Sequence, residues 1–170
     1  LVKVFDSSPN YRGKWGEESL KNMLHKIGLI KHCDFMDQVE ADYDGKTQIP
    51  DTVVNLPGSK KAVVIDSKVP HKHFSAALLA KTDLEKNDHL EKHAEAVRRH
   101  FDKLSSKSYW RKYQPYGIEV VIMAVPNDAL YLAALEKDPS LFADAFEKKV
   151  LIAPPAYMMM ALKMLDGQWS

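Results

Sequence analysis

The sequence predicts an α/β protein built on a mixed sheet, and three observations carry that reading. Ile118 to Val125 (IEVVIMAV) is a continuous apolar run between Gly117 and Pro126, the pattern of a strand buried on both faces and the expected spine of a sheet. Two shorter strand-like runs flank a Pro-Gly turn in IPDTVVNLPGSKKAVVIDSKVP. Segments with helical periodicity separate these runs, so helices and strands are interleaved along the chain.

Taken in order, residues 15 to 28 (WGEESLKNMLHKIG) place Leu20, Met23, Leu24 and Ile27 at helical spacing, with Gly28 where a C-terminal cap belongs. Phe35 to Tyr43 alternates apolar with polar residues and is expected to form a strand ending at Asp44-Gly45. The hairpin follows. After Val69-Pro70, residues 73 to 80 suit a short helix, and Thr82-Asp83 suit the cap of a long one reaching about Lys112. Along the long helix Leu90, Ala94, Val97, Phe101, Leu104 and Ser108 form a narrow apolar seam with charged flanks. That seam suits packing along the domain, and self-association through residues 83–112 is a second use for it. Residues 128 to 137 and 139 to 148 read as helices, the second opening with Pro139 at its first helical position. Val150 to Ala153 is a short strand and Pro155 to Leu165 a last helix.

The chain has 170 residues, 45% of them apolar, which suits a single domain with a sizeable core. Lys and Arg (24) balance Asp and Glu (23) to a formal net charge of +1, so any contact with a polyanion must come from local patches. A single cysteine, Cys33, excludes an internal disulfide and any CxxC site, and a reducing cytosol is the simplest setting. The apolar stretches Val120 to Val125 and Val150 to Leu162 are too short, or broken by Pro154-Pro155, to span a membrane. The start at Leu1, without methionine or a signal-like segment, suggests a domain excised from a longer chain.

The chemistry-bearing residues converge in the hairpin. A two-residue turn at Gly58-Ser59 sets Asp51 directly opposite Asp66, and alternation returns Lys68 to the same face while Val63 and Ile65 point to the other. Two opposed carboxylates destabilise a sheet unless compensated, and one ammonium group neutralises only one of them, so a divalent cation is the simplest complement. Aspartates at strand ends are also common as solvated turn flanks. Glu17 and Glu18 open the first helix, where acids favour its positive end. At about 100° per residue, Glu17 lies near the edge of the apolar stripe and is the one able to face the sheet.

The segments NYRGKWGE, IPDTVVNLPG, VVIDSKVP, SYW, VVIMAVPNDA, DPSLFADAF and VLIAPP resemble the RmuC family over nearly the whole chain. The ordered set RGxWGE, PD, DSK and VP carries most of the specificity. The resemblance implies a restriction-endonuclease-like mixed sheet flanked by helices, with the long helix inserted after the DxK strand, forming one PD-(D/E)xK nuclease-like domain over residues 1–170. It implies a bacterial, cytoplasmic protein acting on DNA in recombination or genome maintenance. Family members often carry an upstream membrane anchor or coiled coil, which would lie outside this segment. Residue by residue, it makes Glu17 the helix carboxylate, Asp51 the PD aspartate, Asp66 the second carboxylate and Lys68 the motif lysine. The three carboxylates would hold Mg²⁺, or Mn²⁺, to polarise a scissile phosphate, with Lys68 orienting the attacking water or stabilising charge on the phosphate.

Arg12, Lys72 and His73 lie nearest in sequence to this set and suit contact with a phosphate backbone. Lys14, Lys60, Lys61 and His71 are further local cations, and a solvated surface explains the hairpin-tip pair Lys60-Lys61 better. Tyr109-Trp110-Arg111-Lys112 suits base stacking, although Trp110 suits the core equally. Gln38 is a weaker candidate for a polar contact. Where relatives carry a Thr-rich turn and a late arginine, this chain has AYMMMALKML. Lys163 falls near the arginine position, and Met158, Met159 and Met160 suit core filling. Seven histidines form no HExxH pattern, and no Walker loop, GxGxxG or GxSxG is present. Besides a metal-dependent nuclease, two other functions remain open: a domain that recognises DNA structure without cutting, and an interaction scaffold built on the long helix.

Overall fold

The computed structural model describes residues 20–35, 52–56, 60–67, 69–106 and 117–165. Five strands form one sheet in the order β1 (Cys33–Phe35), β2 (Thr52–Asn55), β3 (Lys61–Asp66), β4 (Gly117–Ala124), β5 (Val150–Ala153). β1 with β2 and β2 with β3 are antiparallel, whereas β3 with β4 and β4 with β5 are parallel. Parallel neighbours need crossovers. The first is supplied by α2 (Lys72–Leu79) and α3 (Asp83–Leu104), the second by α4 (Asp128–Lys137) and α5 (Leu141–Glu147). The described part of α1 covers residues 20–26, and α6 is Pro155–Leu165.

Helices cover both faces. Leu20, Leu24 and Ile27 of α1 and Met158 and Leu162 of α6 pack on Val54, Val63, Ile65 and Ile122. On the opposite face, Ala94, Val97, Phe101 and Leu104 of α3 pack with Leu130 and Leu141 of the next two helices on Val53, Val64, Val121 and Met123. This sandwich explains why β3 is buried from Ala62 through Asp66: its alternate side chains enter two different cores. It is therefore β3, not the more continuously apolar β4, that holds the middle of the sheet.

The predicted mixed α/β architecture, with a long helix following the second hairpin strand, is what the chain adopts. Gly28 sits at φ 80°, the left-handed conformation that ends a helix, and the Leu29 N–H donates back to Leu24 O over 3.0 Å. Several boundaries differ from expectation. The first strand starts two residues before the predicted Phe35, and residues 36–43 lie outside the described set. The short helix is displaced by one residue, to Lys72–Leu79. α3 opens as expected, with Thr82 Oγ1 accepting from the Glu85 N–H, but it closes at Leu104 rather than near Lys112. Ser105 ends it: the hydroxyl donates to Asp102 O at 2.7 Å, the local competition that makes serine a poor helix interior. Pro139 is not a first helical residue, because α5 starts at Leu141 with Ser140 as N-cap. Asp138, the residue before proline, leaves the helical path at φ −134° and ψ 82°, and Pro139 occupies a turn.

The described part of the α3 seam, Leu90 to Leu104, packs inside the domain, and Ser108 lies outside the described residues. Ala94, Val97, Phe101 and Leu104 are buried on its own sheet, and Leu90 packs against them. Among the described residues no helix is long and apolar enough to cross a membrane.

Candidate functional site

The observed β2–β3 ladder pairs Thr52 with Ile65, Val53 with Val64, Val54 with Val63 and Asn55 with Ala62. That is the register the sequence predicts. Val63 and Ile65 point into the core beneath α1 and α6, and Val64 into the core beneath α3. Asp66, the last residue of β3, falls on the α3 side by the same alternation. Asp51, which this register would carry opposite Asp66, lies outside the described residues, as do Glu17, Lys68 and Arg12.

Asp66 is only 4% exposed, an expensive place for a carboxylate without polar partners. One partner comes from α3: His100 Nε2 stands 3.1 Å from Asp66 Oδ1, with the imidazole itself mostly buried. With the carboxylate ionised, the ring must carry its proton on Nε2 to donate. The site thus lies at the carboxyl end of the middle strand, where β3 runs parallel to β4 and Asp66 pairs with Met123. In open α/β sheets this is the end at which ligands bind.

His100 was not legible as a site residue. It follows the charged pair Arg98-Arg99 and is not part of the apolar seam, so only the crossover of α3 above the end of β3 brings it to Asp66. Its neighbours hold it there. Phe101 is fully buried, Arg98 grips Asp138 and Asp144, and Lys148 bonds Asp102 at 2.6 Å. These contacts tie this stretch of α3 to the second crossover.

The other described candidates lie at the start of α2. Lys72 is exposed, whereas the His73 ring is half-buried and stacks on His89 of α3, with centroids 6.0 Å apart. His71 Nδ1 lies 3.4 Å from Val69 O. Lys60 and Lys61 are exposed at the far end of β3 from Asp66, as the hairpin geometry required. His93 is a second buried histidine that the apolar seam did not reveal. Its Nε2 donates to Leu130 O at 3.0 Å, its ring lies against Phe74, and burial pushes its pKa below the ordinary imidazole value. Met158 is buried and Met159 packs against the core, but Met160 is half-exposed, so only part of the methionine run is filler. Gln38 and residues 109–112 lie outside the described set.

A buried carboxylate offers oxygen ligands alone, the donor chemistry suited to Mg²⁺ or Mn²⁺. Among the described residues, no group of three or more His, Cys, Asp or Glu side chains is placed to hold a metal ion. Asp66 is the described member of the predicted ligand set.

The fold and this site define a mixed α/β domain with an acidic residue buried at the carboxyl end of its central strand. The chain belongs to the RmuC family, whose model matches residues 1–170. It is similar to the DNA recombination protein RmuC homolog of Zymomonas mobilis, 32% identical over 169 residues, covering 99% of this chain and 37% of that protein. A homolog of the same name from Pseudomonas aeruginosa is 32% identical over 159 residues, 93% of this chain and 35% of its own length. The DNA recombination protein RmuC of Escherichia coli is 27% identical over 170 residues, 99% of this chain and 36% of its own. The chain thus spans about a third of the length of these curated relatives. No solved structure matches it.

Proposed function

We propose that this domain acts on DNA in recombination or genome maintenance as a divalent-metal-dependent nuclease, hydrolysing phosphodiesters at Glu17, Asp51, Asp66 and Lys68. The observation that carries the reading is Asp66. A carboxylate is kept 4% exposed at the end of the middle strand, in the hairpin register the motif requires, in a chain whose relatives are named DNA recombination proteins. An acid at a strand end adds nothing to the apolar core even with His100 as its polar partner, so a ligand role suits it better than packing does.

In this reading Glu17, Asp51 and Asp66 would hold Mg²⁺ or Mn²⁺, which when bound would polarise the phosphate and lower the pKa of an attacking water. Lys68, the motif lysine, would orient that water or stabilise charge growing on the phosphate oxygens. Arg12, Lys72 and His73 contact the backbone flanking the cut. Such contacts position the duplex without reading its sequence. Of these three, Lys72 is the exposed described group, and the stacking of His73 on His89 leaves it a narrower role.

The test incubates the 170-residue chain and its Asp66→Ala variant with labelled linear, single-stranded and branched DNA, in Mg²⁺, in Mn²⁺ and in chelator. Metal-dependent cleavage that disappears in the variant supports the reading and names the substrate class. Binding without cleavage under every condition replaces it with a domain that recognises DNA structure.

A further inference from the structure

We propose that His100 is a positioning residue for Asp66, holding its carboxylate in the orientation that binds a divalent cation. The inference rests on the metal-binding reading above and adds a residue from an element outside the hairpin motif. A carboxylate at a strand end can rotate about its last side-chain torsion, and that rotation decides where its oxygens point. With its proton on Nε2, His100 stands 3.1 Å from Oδ1 and restricts this freedom at one oxygen. Both side chains are shielded, 17% exposed for His100 and 5% for Asp66, so the hydrogen bond competes little with water.

The donor is itself rigidly placed. On one side of His100, Arg98 is bonded to Asp138, Ser140 and Asp144. On the other, Phe101 is buried without exposure and Asp102 bonds Lys148. An imidazole on a helix pinned at these points presents its N–H at a fixed place, which is what an outer hydrogen-bond partner of a metal-binding carboxylate needs. A histidine that merely filled space there would need no donor aimed at the carboxylate oxygen.

Mn²⁺ binding to the 170-residue chain, followed by titration calorimetry, separates these roles. His100→Ala is expected to weaken Mn²⁺ binding about 10- to 100-fold. His100→Gln, whose amide N–H can reach the same oxygen, is expected to recover most of that loss. Should His100→Ala not fold, His100→Phe, which keeps the ring volume and lacks the donor, carries the same expectation as the alanine. Wild-type Mn²⁺ affinity in a folded His100→Ala or His100→Phe chain overturns the proposal, as does a glutamine variant no better than alanine. Failure of the metal reading looks different: wild type and Asp66→Ala then bind Mn²⁺ alike or not at all, and the role of His100 falls with it.

Discussion

Replacing Arg98 by alanine should unclamp α3 from the second crossover, and the structure sets the size of the effect. The guanidinium forks onto Asp138, with Nε bonding Oδ2 and Nη2 bonding Oδ1 at 2.9 Å, and Nη2 also reaches Ser140 Oγ and Asp144 Oδ2. Its carbon lies 5.5 Å from the centroid of the buried Phe101 ring. The pair is not deeply buried, with Arg98 33% and Asp138 22% exposed, so solvent screens much of the attraction. Discounted in that way, the fork to Asp138 contributes about 1 kcal/mol, and the stem and guanidinium over Phe101 about 1 kcal/mol more. Arg98→Ala is therefore expected to cost about 2 kcal/mol in urea unfolding, or about 4–8 °C in melting temperature for a chain of this size. Arg98→Lys keeps a point charge but not the fork and should recover less than half of that. A loss below about 0.5 kcal/mol would refute the argument by placing the clamp among surface pairs of negligible effect. A lysine variant as stable as wild type would refute the part assigned to fork geometry.

Contacts on α3 give three further outcomes. Arg98 holds the Asp138 carboxyl below its ordinary pKa of 3.8, so the clamp is fully formed above that pH and is lost as acid protonates the folded carboxylate. Acid titration of stability should then be flatter below pH 4 in Arg98→Ala than in wild type, and equal profiles would count against the assignment. Thr82→Ala removes the acceptor of the Glu85 N–H at the start of α3 and should cost about 1 kcal/mol in urea unfolding. No change would mean the first turn frays in the native state. Burial lowers the pKa of His93 below 6.5, so the unfolded chain takes up its proton first, and stability falls as pH drops below 6.5 toward the folded pKa. The slope from this residue is at most about 1.4 kcal/mol per pH unit. Urea midpoints between pH 7.5 and 5.5 should fall more steeply for wild type than for His93→Gln, and parallel lines would refute the claim that His93 is held neutral.

What was legible in the sequence is what local pattern controls. Alternation and the Pro-Gly turn placed β2 and β3 in register, because slipping one residue would turn Val63 and Ile65 out of their core. The apolar seam located α3 and the face it buries, and Gly28 marked a helix end because few other residues adopt its backbone. Missed features depend on contacts between residues far apart in the chain. His100 meets Asp66 across 34 positions and His93 meets Leu130 across 37, and neither pairing leaves a periodic trace. Pro139 was misplaced for a local reason: the residue before a proline is pushed out of the helical region, and Asp138, at φ −134° and ψ 82°, ends one helix with two residues between it and Leu141, where the next begins. The hairpin and the resemblance to the family pointed to an acidic set, of which only Asp66 lies within the described residues.

If the buried carboxylate of Asp66 serves phosphodiester hydrolysis, Asp66→Asn removes that chemistry with almost no change of shape. Single-turnover cleavage of end-labelled DNA in Mn²⁺, with DNA binding measured on the same samples, is expected to show binding retained and cleavage reduced at least about a hundredfold. Cleavage by Asp66→Asn at the wild-type rate would place the chemistry elsewhere and contradict the account.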